Sequence, residues 1–347
     1  MEVNALTWAI TIAVIAGFFI FDFYSHVRTP HEPTIKESAW WSLFYIALAC
    51  AFGVFLWFAW SKPGNPHQHG LEFFTGYITE KALSVDNLFV FALIMGAFKI
   101  PRKYQQKVLL IGIALALIFR LIFIILGAAV IEAWSDVFYV FGIFLLYTAM
   151  KLIVDEIRDV PEQDPNDMRI IRWLRKVIPV TPTYEEDHLF VHKRGQFALT
   201  PLFIALVAIG MIDVMFAFDS IPAIYGITSE PYIVFTTNAF ALLGLRQMYF
   251  LLDGLLDRLV YLPYGLGAIL GFIGVKLILH ALHENKLPFI NGGESLNVME
   301  IPTAWSLIII IGILALAVVA SVIKTKRDEA QGAIDIRKRP SEYARED

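Results

Sequence analysis

The chain has 347 residues, of which 57% are hydrophobic and 17% charged, with a mean hydropathy of +0.62. Soluble domains carry roughly 25% charge, so this balance excludes both a string of soluble domains and a disordered chain. One cysteine, Cys50, excludes a disulfide framework, a Cys-based zinc site and dithiol chemistry. A net charge of −4 and a pI near 6.1 point away from nucleic acid.

Crossing a bilayer takes about 20 mostly apolar residues. Nine segments qualify: 5–25, 39–60, 72–97, 107–127, 131–154, 199–225, 231–252, 262–283 and 303–323. The first is read as a retained span, because it has no basic leader and carries Asp22. The loops sort by charge. One set of ends (the N-terminus, 61–71, 128–130, 226–230 and 284–302) holds only Lys62 and Lys286. The opposite ends, counted with Lys107 at the edge of span four, hold 21 Lys and Arg. The positive-inside rule then puts the N-terminus out and the C-terminus in. In the long loop, Arg169, Arg172, Arg175 and Lys176 alternate with Ile170, Ile171, Trp173, Leu174, Val177 and Ile178. That pattern fits a short interfacial helix or a solvated connector.

Spans three to five resemble spans six to eight. Glu80 and Asp86 are spaced like Asp213 and Asp219, and Arg120 in span four corresponds to Arg246 in span seven. Gly142, Leu145, Lys151, Leu152 and Ile153 recur as Gly267, Leu270, Lys276, Leu277 and Ile278. Spans three and six enter from opposite sides, so the expected architecture is all-α and polytopic, with nine transmembrane helices and a 3+3 inverted repeat. Such repeats are typical of secondary transporters, whose site lies at the midplane. Residues 1–65 hold two helices, 66–155 the first repeat, 156–198 a cytoplasmic loop, 199–285 the second repeat, 286–323 the ninth helix and 324–347 a charged cytoplasmic tail.

A charge at the centre of a span costs at least about 2.5–3.5 kcal/mol. Asp22, Glu80, Lys81, Asp86, Arg120, Lys151, Asp213, Asp219, Arg246 and Lys276 all fall within spans, so they pair with one another or line a wet cavity. On one ideal helix, Glu80 and Asp86 are about 9 Å and 120° apart, too far for a single ion. Antiparallel packing of spans three and six would instead form two layers, Glu80 with Asp219 and Asp86 with Asp213. Asn87, Ser84, Ser220 and Asn238 would add neutral oxygens. This donor set suits Mg²⁺, Mn²⁺ or Ca²⁺. Pro222 is expected to break or bend span six nearby. Arg120, Lys151, Arg246 and Lys276 are expected as structural charge partners, and Asp22 as an accessory group. Lys81 is either a counter-charge to Glu80 or Asp22, or a competitor of the ion. His67 with His69, and His188 with His192, are weak metal patterns. No Gly-rich phosphate loop or hydrolase motif is present, so the expectation is a carrier, not an enzyme, with no organic cofactor.

The stretch Glu80–Val90, then Phe218–Ala223 and Thr237–Arg246, resembles signatures of the TerC family. His188–Val191, Gly195 and Thr200-Pro201 resemble its Alx-like subgroup. The family was named for tellurium resistance and is grouped with LysE-like exporters. The resemblance implies a bacterial inner-membrane, multi-pass protein that exports Mn²⁺ by alternating access. The residues it carries over are Glu80, Asp86, Asn87, Asp213, Asp219, Ser220 and Asn238. Partners would be the lipid bilayer, the divalent ion and protons as counter-ion. A Ca²⁺ or Mg²⁺ transporter, and a non-transporting scaffold linked to metal or tellurite stress, stand as alternatives. Two departures are Gly210, where relatives often have an acid, and His280, where the first repeat has Asp155.

Overall fold

The computed structural model describes residues 3–27, 33–60, 67–134, 136–158, 171–174, 179–181, 188–193, 196–252 and 259–330. Helix α1 spans Ala5–Asp22, is capped by the Asn4 side chain and runs on as a π-helix over Phe23–Val27. Helix α2 (Ile35–Ala59) starts at a Thr34–Glu37 capping box. Helices α3 (Gln68–Ala97), α4 (Arg102–Ala133) and α5 (Val137–Ile157) follow. A hairpin of β1 (Phe190–Lys193) and β2 (Gln196–Leu199) leads into α6 (Pro201–Tyr225). Then come α7 (Pro231–Leu242), α8 (Leu245–Leu252), α9 (Leu262–His283) and α10 (Thr303–Ala330).

The chain is a mostly helical, polytopic membrane protein. By length and composition, α1, α2, α4, α5, α6, α9 and α10 can cross a membrane. The two remaining expected spans are the ones richest in chemistry. Helix α3 has 30 residues, enough to cross, but carries Glu72, Glu80, Lys81 and Asp86. The segment expected as span seven is not one helix. It breaks at Leu243, which is extended, and at Gly244, where φ is +79°. A Cβ at Gly244 would also lie 3.0 Å from the Tyr45 Cβ. Left-handed backbone and close approach together require glycine at this break. Pro222 does not end α6, which continues to Tyr225.

Packing follows the small residues. Helices α5 and α9 form the most extensive pair and run antiparallel. A Cβ at Gly142 would lie 2.7 Å from Ile278 Cγ1, and one at Gly267 would lie 2.7 Å from Ile153 Cγ1. Likewise Gly274 meets Leu146, and Gly271 meets Ala149. Each contact is matched by the one between the corresponding residues of the other helix, so the surface is self-complementary in the manner of an isologous interface. Helix α3 packs along α7, where Gly76 meets Thr237, and α4 packs along α6, where Gly112 meets Ile209. The start of α3 is tied to the end of α6 through Glu72 and Thr228, whereas Phe91 and Ile94 share a core with Leu202 and Ala205. Helices α3 and α6 are therefore antiparallel.

Of the loop expected as an interfacial helix, residues 171–174 are helical, with Ile171 buried and Trp173 exposed. Residues 159–170 and 175–178 lie outside the described set. The β-hairpin was not anticipated. It places His192 in β1 and His188 just before it, so these two do not share a helix face.

Gly142→Val is expected to destabilise the detergent-purified protein by about 1–3 kcal/mol through overpacking against the Gly274 carbonyl. Gly96→Ala, whose Cβ meets nothing within 4 Å, serves as the control. Thermal unfolding followed by tryptophan fluorescence checks this; equal midpoints would refute the close-packed α5–α9 seam.

Candidate functional site

Four of the seven expected metal ligands converge on one side chain. Arg120 of α4 is fully buried. Its Nη1 donates to Glu80 Oε1 of α3, to Asn238 Oδ1 of α7 at 2.8 Å and to Ser220 Oγ of α6 at 3.4 Å. Its Nε and Nη2 donate to the two oxygens of Asp213 on α6, at 3.3 and 3.2 Å. This is the two-pronged fork that suits guanidinium and carboxylate. Asn238 is oriented by its own amide, which donates to the Val234 carbonyl at 2.9 Å. Glu80 and Asp213, expected in separate layers, are thus joined by one cation.

A second group of residues borders this cluster. Asp219, half-buried, accepts from Thr148 Oγ1 of α5 at 3.1 Å. It lines a cavity of about 90 Å³ with Asn87, Ser220, Thr148, Leu83 and Leu152, closed by Phe216, Leu266 and Leu270. Ser220 belongs to both groups. Asp86 lies on α3 next to Asn87, and its side chain is outside the described set. Lys151 is exposed and within electrostatic reach of Asp219. Ser84 Oγ and Glu80 Oε2 are buried on α3 without a hydrogen-bond partner among the described residues. A Cβ at Gly210 would meet nothing within 4 Å, so there is room for a side chain there.

The accessory charges lie elsewhere. Lys81 Nζ donates to the Ala241 carbonyl at 2.9 Å, at the C-terminal end of α7. A cation there complements the helix dipole at the break. Asp22 is buried and accepts from Arg246 Nη2 at 3.1 Å, Tyr45 Oη at 3.1 Å and Gln247 Nε2 at 3.3 Å. Arg246 Nη1 also donates to Gln106 of α4. Asp22 and Arg246 therefore form an ion pair apart from the Glu80–Asp213 cluster. Lys276 is near Glu72 and Glu300.

Sequence reading missed Glu72, Thr148 and Gln106. Glu72 is 4% exposed and accepts from Gln68 at 2.8 Å, Thr228 at 2.9 Å and His69 at 3.3 Å. It stands at the edge of the expected span, and the polar run Gln68-His69-Gly70-Leu71-Glu72 was the available signal. His67 stacks on Trp57 instead of joining His69. His280 faces Glu300 at 2.9 Å. Among the described residues, no group of three or more His, Cys, Asp or Glu is placed to hold a metal ion by itself. The oxygen-rich cluster includes amide and hydroxyl donors, and Arg120 occupies it.

A membrane protein built around paired intramembrane charges defines the class. The chain belongs to the integral membrane protein TerC family, whose model matches residues 65–329. It is 44% identical over 337 residues to the uncharacterized membrane protein Rv2723 of Mycobacterium tuberculosis, covering 96% of this chain and 83% of that one. It is 38% identical to the uncharacterized membrane protein STKORF319 of Myxococcus xanthus, over 92% of each chain. It is 36% identical to the putative membrane-bound redox modulator Alx of Escherichia coli K12, over 88% of this chain and 90% of that one. No solved structure matches.

Asp22→Asn is expected to cost about 3–5 kcal/mol, because it strands the Arg246 charge. The double variant Asp22→Asn/Arg246→Met is expected to lose less than the sum of the two single variants. A double-mutant cycle on thermal unfolding measures the coupling, and strict additivity would rule out the ion pair.

Proposed function

We propose that this protein is a secondary transporter of divalent metal cations, with Mn²⁺ as the preferred cargo, in the bacterial inner membrane. The observation that carries the reading is the convergence, near the middle of α3 and α6, of Glu80, Asp213, Ser220 and Asn238 on one cation-sized group. Five hard oxygen atoms from three helices surround it. Such a donor set favours Mg²⁺, Ca²⁺ and Mn²⁺ over softer ions. Asp219, Asn87 and Ser220 line the cavity beside it, and Asp86 is the remaining carboxylate of the set. The preference for Mn²⁺ and the outward direction rest on the family resemblance.

The architecture proposed for this activity is nine spans, N-terminus out and C-terminus in, with α3–α5 and α6–α9 as inverted repeats. The reciprocal glycine contacts of α5 and α9 support it, as does the matched pairing of α3 with α7 and α4 with α6. The broken helix α7–α8 supports it as well, since discontinuous helices commonly frame transporter sites. Protons are the proposed counter-ion, because neighbouring carboxylates share protons readily. On this reading the protein is not an enzyme.

One observation favours a second reading. Arg120 compensates the acids of the deep cluster, and the described charges at Asp22 and Arg246 are paired too, as expected of a scaffold whose charges only hold helices together. The relative named as a redox modulator raises a third role. For this chain an intrachain dithiol couple is not available, since Cys50 is its single cysteine.

Purified protein in proteoliposomes is expected to show saturable Mn²⁺ flux. Asp86→Asn and Asp219→Asn should each lower it by about tenfold or more, as affinity follows ligand charge count. Competing Ca²⁺ and Mg²⁺ rank selectivity. Absence of flux under every pH gradient would favour the scaffold, and full activity in both variants would move the site elsewhere.

A further inference from the structure

The oxygens that make the deep cluster attractive for a metal ion are held by the protein's own cation. Arg120 takes both oxygens of Asp213, one of Glu80, and those of Asn238 and Ser220. A dication cannot share these acceptors with a guanidinium, since both are positive and both need the same lone pairs. Yet the guanidinium does not exhaust the set. Glu80 Oε2, and Ser84 Oγ one turn further along α3, stay buried and unpartnered. The cluster therefore has more acceptor capacity than Arg120 uses. Ser220, which accepts from Arg120, also lines the cavity that holds Asp219, so an ion in that cavity is next to the guanidinium.

We propose that Arg120 is a tethered counter-cation. It fills the deep acidic cluster in the unloaded protein, is displaced by the incoming divalent cation, and returns when that cation leaves. The inference rests on the transport reading above and names the group that competes with the cargo. It follows from the cost of bare charge in a low dielectric. With the counter-ion protons carried by Asp86 and Asp219, an unloaded protein without Arg120 would still take Glu80 and Asp213 uncompensated through the apolar interior while it reorients. Arg120 also acts in selectivity. A monovalent ion matches its charge and lacks its fork of hydrogen bonds, so it cannot displace it; a divalent ion brings twice the charge.

The test separates two movements in proteoliposomes. Exchange, with Mn²⁺ on both sides, needs only the loaded protein to reorient. Net flux into a metal-free lumen also needs the unloaded protein to return. Arg120→Gln is expected to keep exchange within about threefold of wild type while net flux falls about a hundredfold, the scale for stranding a buried charge. It should also make exchange sensitive to Na⁺ and K⁺. Arg120→Lys keeps the charge and loses the fork, so the Mn²⁺ concentration for half-maximal exchange should drop several-fold with part of net flux retained.

Loss of exchange and net flux alike in folded Arg120→Gln would make Arg120 a fixed clamp and overturn the proposal. Wild-type net flux in that variant would overturn it as well. If Arg120→Gln does not fold, an unchanged or raised half-maximal concentration in Arg120→Lys does the same. A wild-type protein that neither exchanges nor moves Mn²⁺ removes the transport reading itself, which the variant patterns cannot do.

Discussion

A guanidinium in the middle of an apolar bundle has to be answered by carboxylates, and here the answer comes from helices far apart in sequence. Arg120 on α4 draws together Glu80 of α3, Asp213 and Ser220 of α6, and Asn238 of α7. Breaking a buried pair of this kind costs several kcal/mol, comparable with much of the stability of an ordinary domain. The relative placement of α3, α6 and α7 about α4 is therefore bound to one side chain. The apolar contacts are shaped to allow it. Gly76 admits Thr237 and Gly112 admits Ile209, which lets the backbones come close enough for the side chains to meet.

The two arginines that the sequence repeat aligns have different fates. Arg120 sits on a continuous helix and reaches the acids at the centre. Arg246 follows the break at Leu243-Gly244 and turns to Asp22 and Gln106 instead. Two near-equivalent sequences thus give one central acidic cluster. The break is sustained by a positive-φ glycine and by Lys81, whose ammonium lies at the freed carbonyl end of α7. Lys81 has no counterpart in the second half, where Val214 follows Asp213. The break is thus marked in the sequence by a lysine in the first expected repeat and a glycine in the second.

Much of this was legible before any coordinates. Hydropathy located the apolar helices, and the cost of intramembrane charge singled out Glu80, Asp213 and Arg120, with Asn238 named beside them as a neutral oxygen. What composition could not supply was which acid meets which. Azimuth and crossing geometry decide that, and they depend on small residues such as Gly76 and Gly112 whose contacts lie on other helices. The expected layers paired Glu80 with Asp219, yet Glu80 meets Asp213 through Arg120, while Asp219 meets Thr148. Pro222 looked like the break because proline lacks an N–H. Three residues from the end of α6 it disrupts little, and Gly244 does the breaking. Glu72, the first residue of the expected span, was not singled out.

The same geometry makes the two ends of the bundle unlike. The Asp219 cavity takes its walls from Asn87 of α3, Leu152 of α5 and Leu266 of α9. These residues lie on the halves of their helices that approach the Lys- and Arg-rich loops, whereas Asp219 and Ser220 lie on the half of α6 that leads away from them. At the other end, Glu72 ties the start of α3 to Thr228 beyond α6, with His69 and Gln68 closing over the same carboxylate. Arg120 lies between the two. Charge-assisted bonds therefore hold both places, a guanidinium fork at the centre and a carboxylate that takes two neutral donors and one histidine at the Glu72 end.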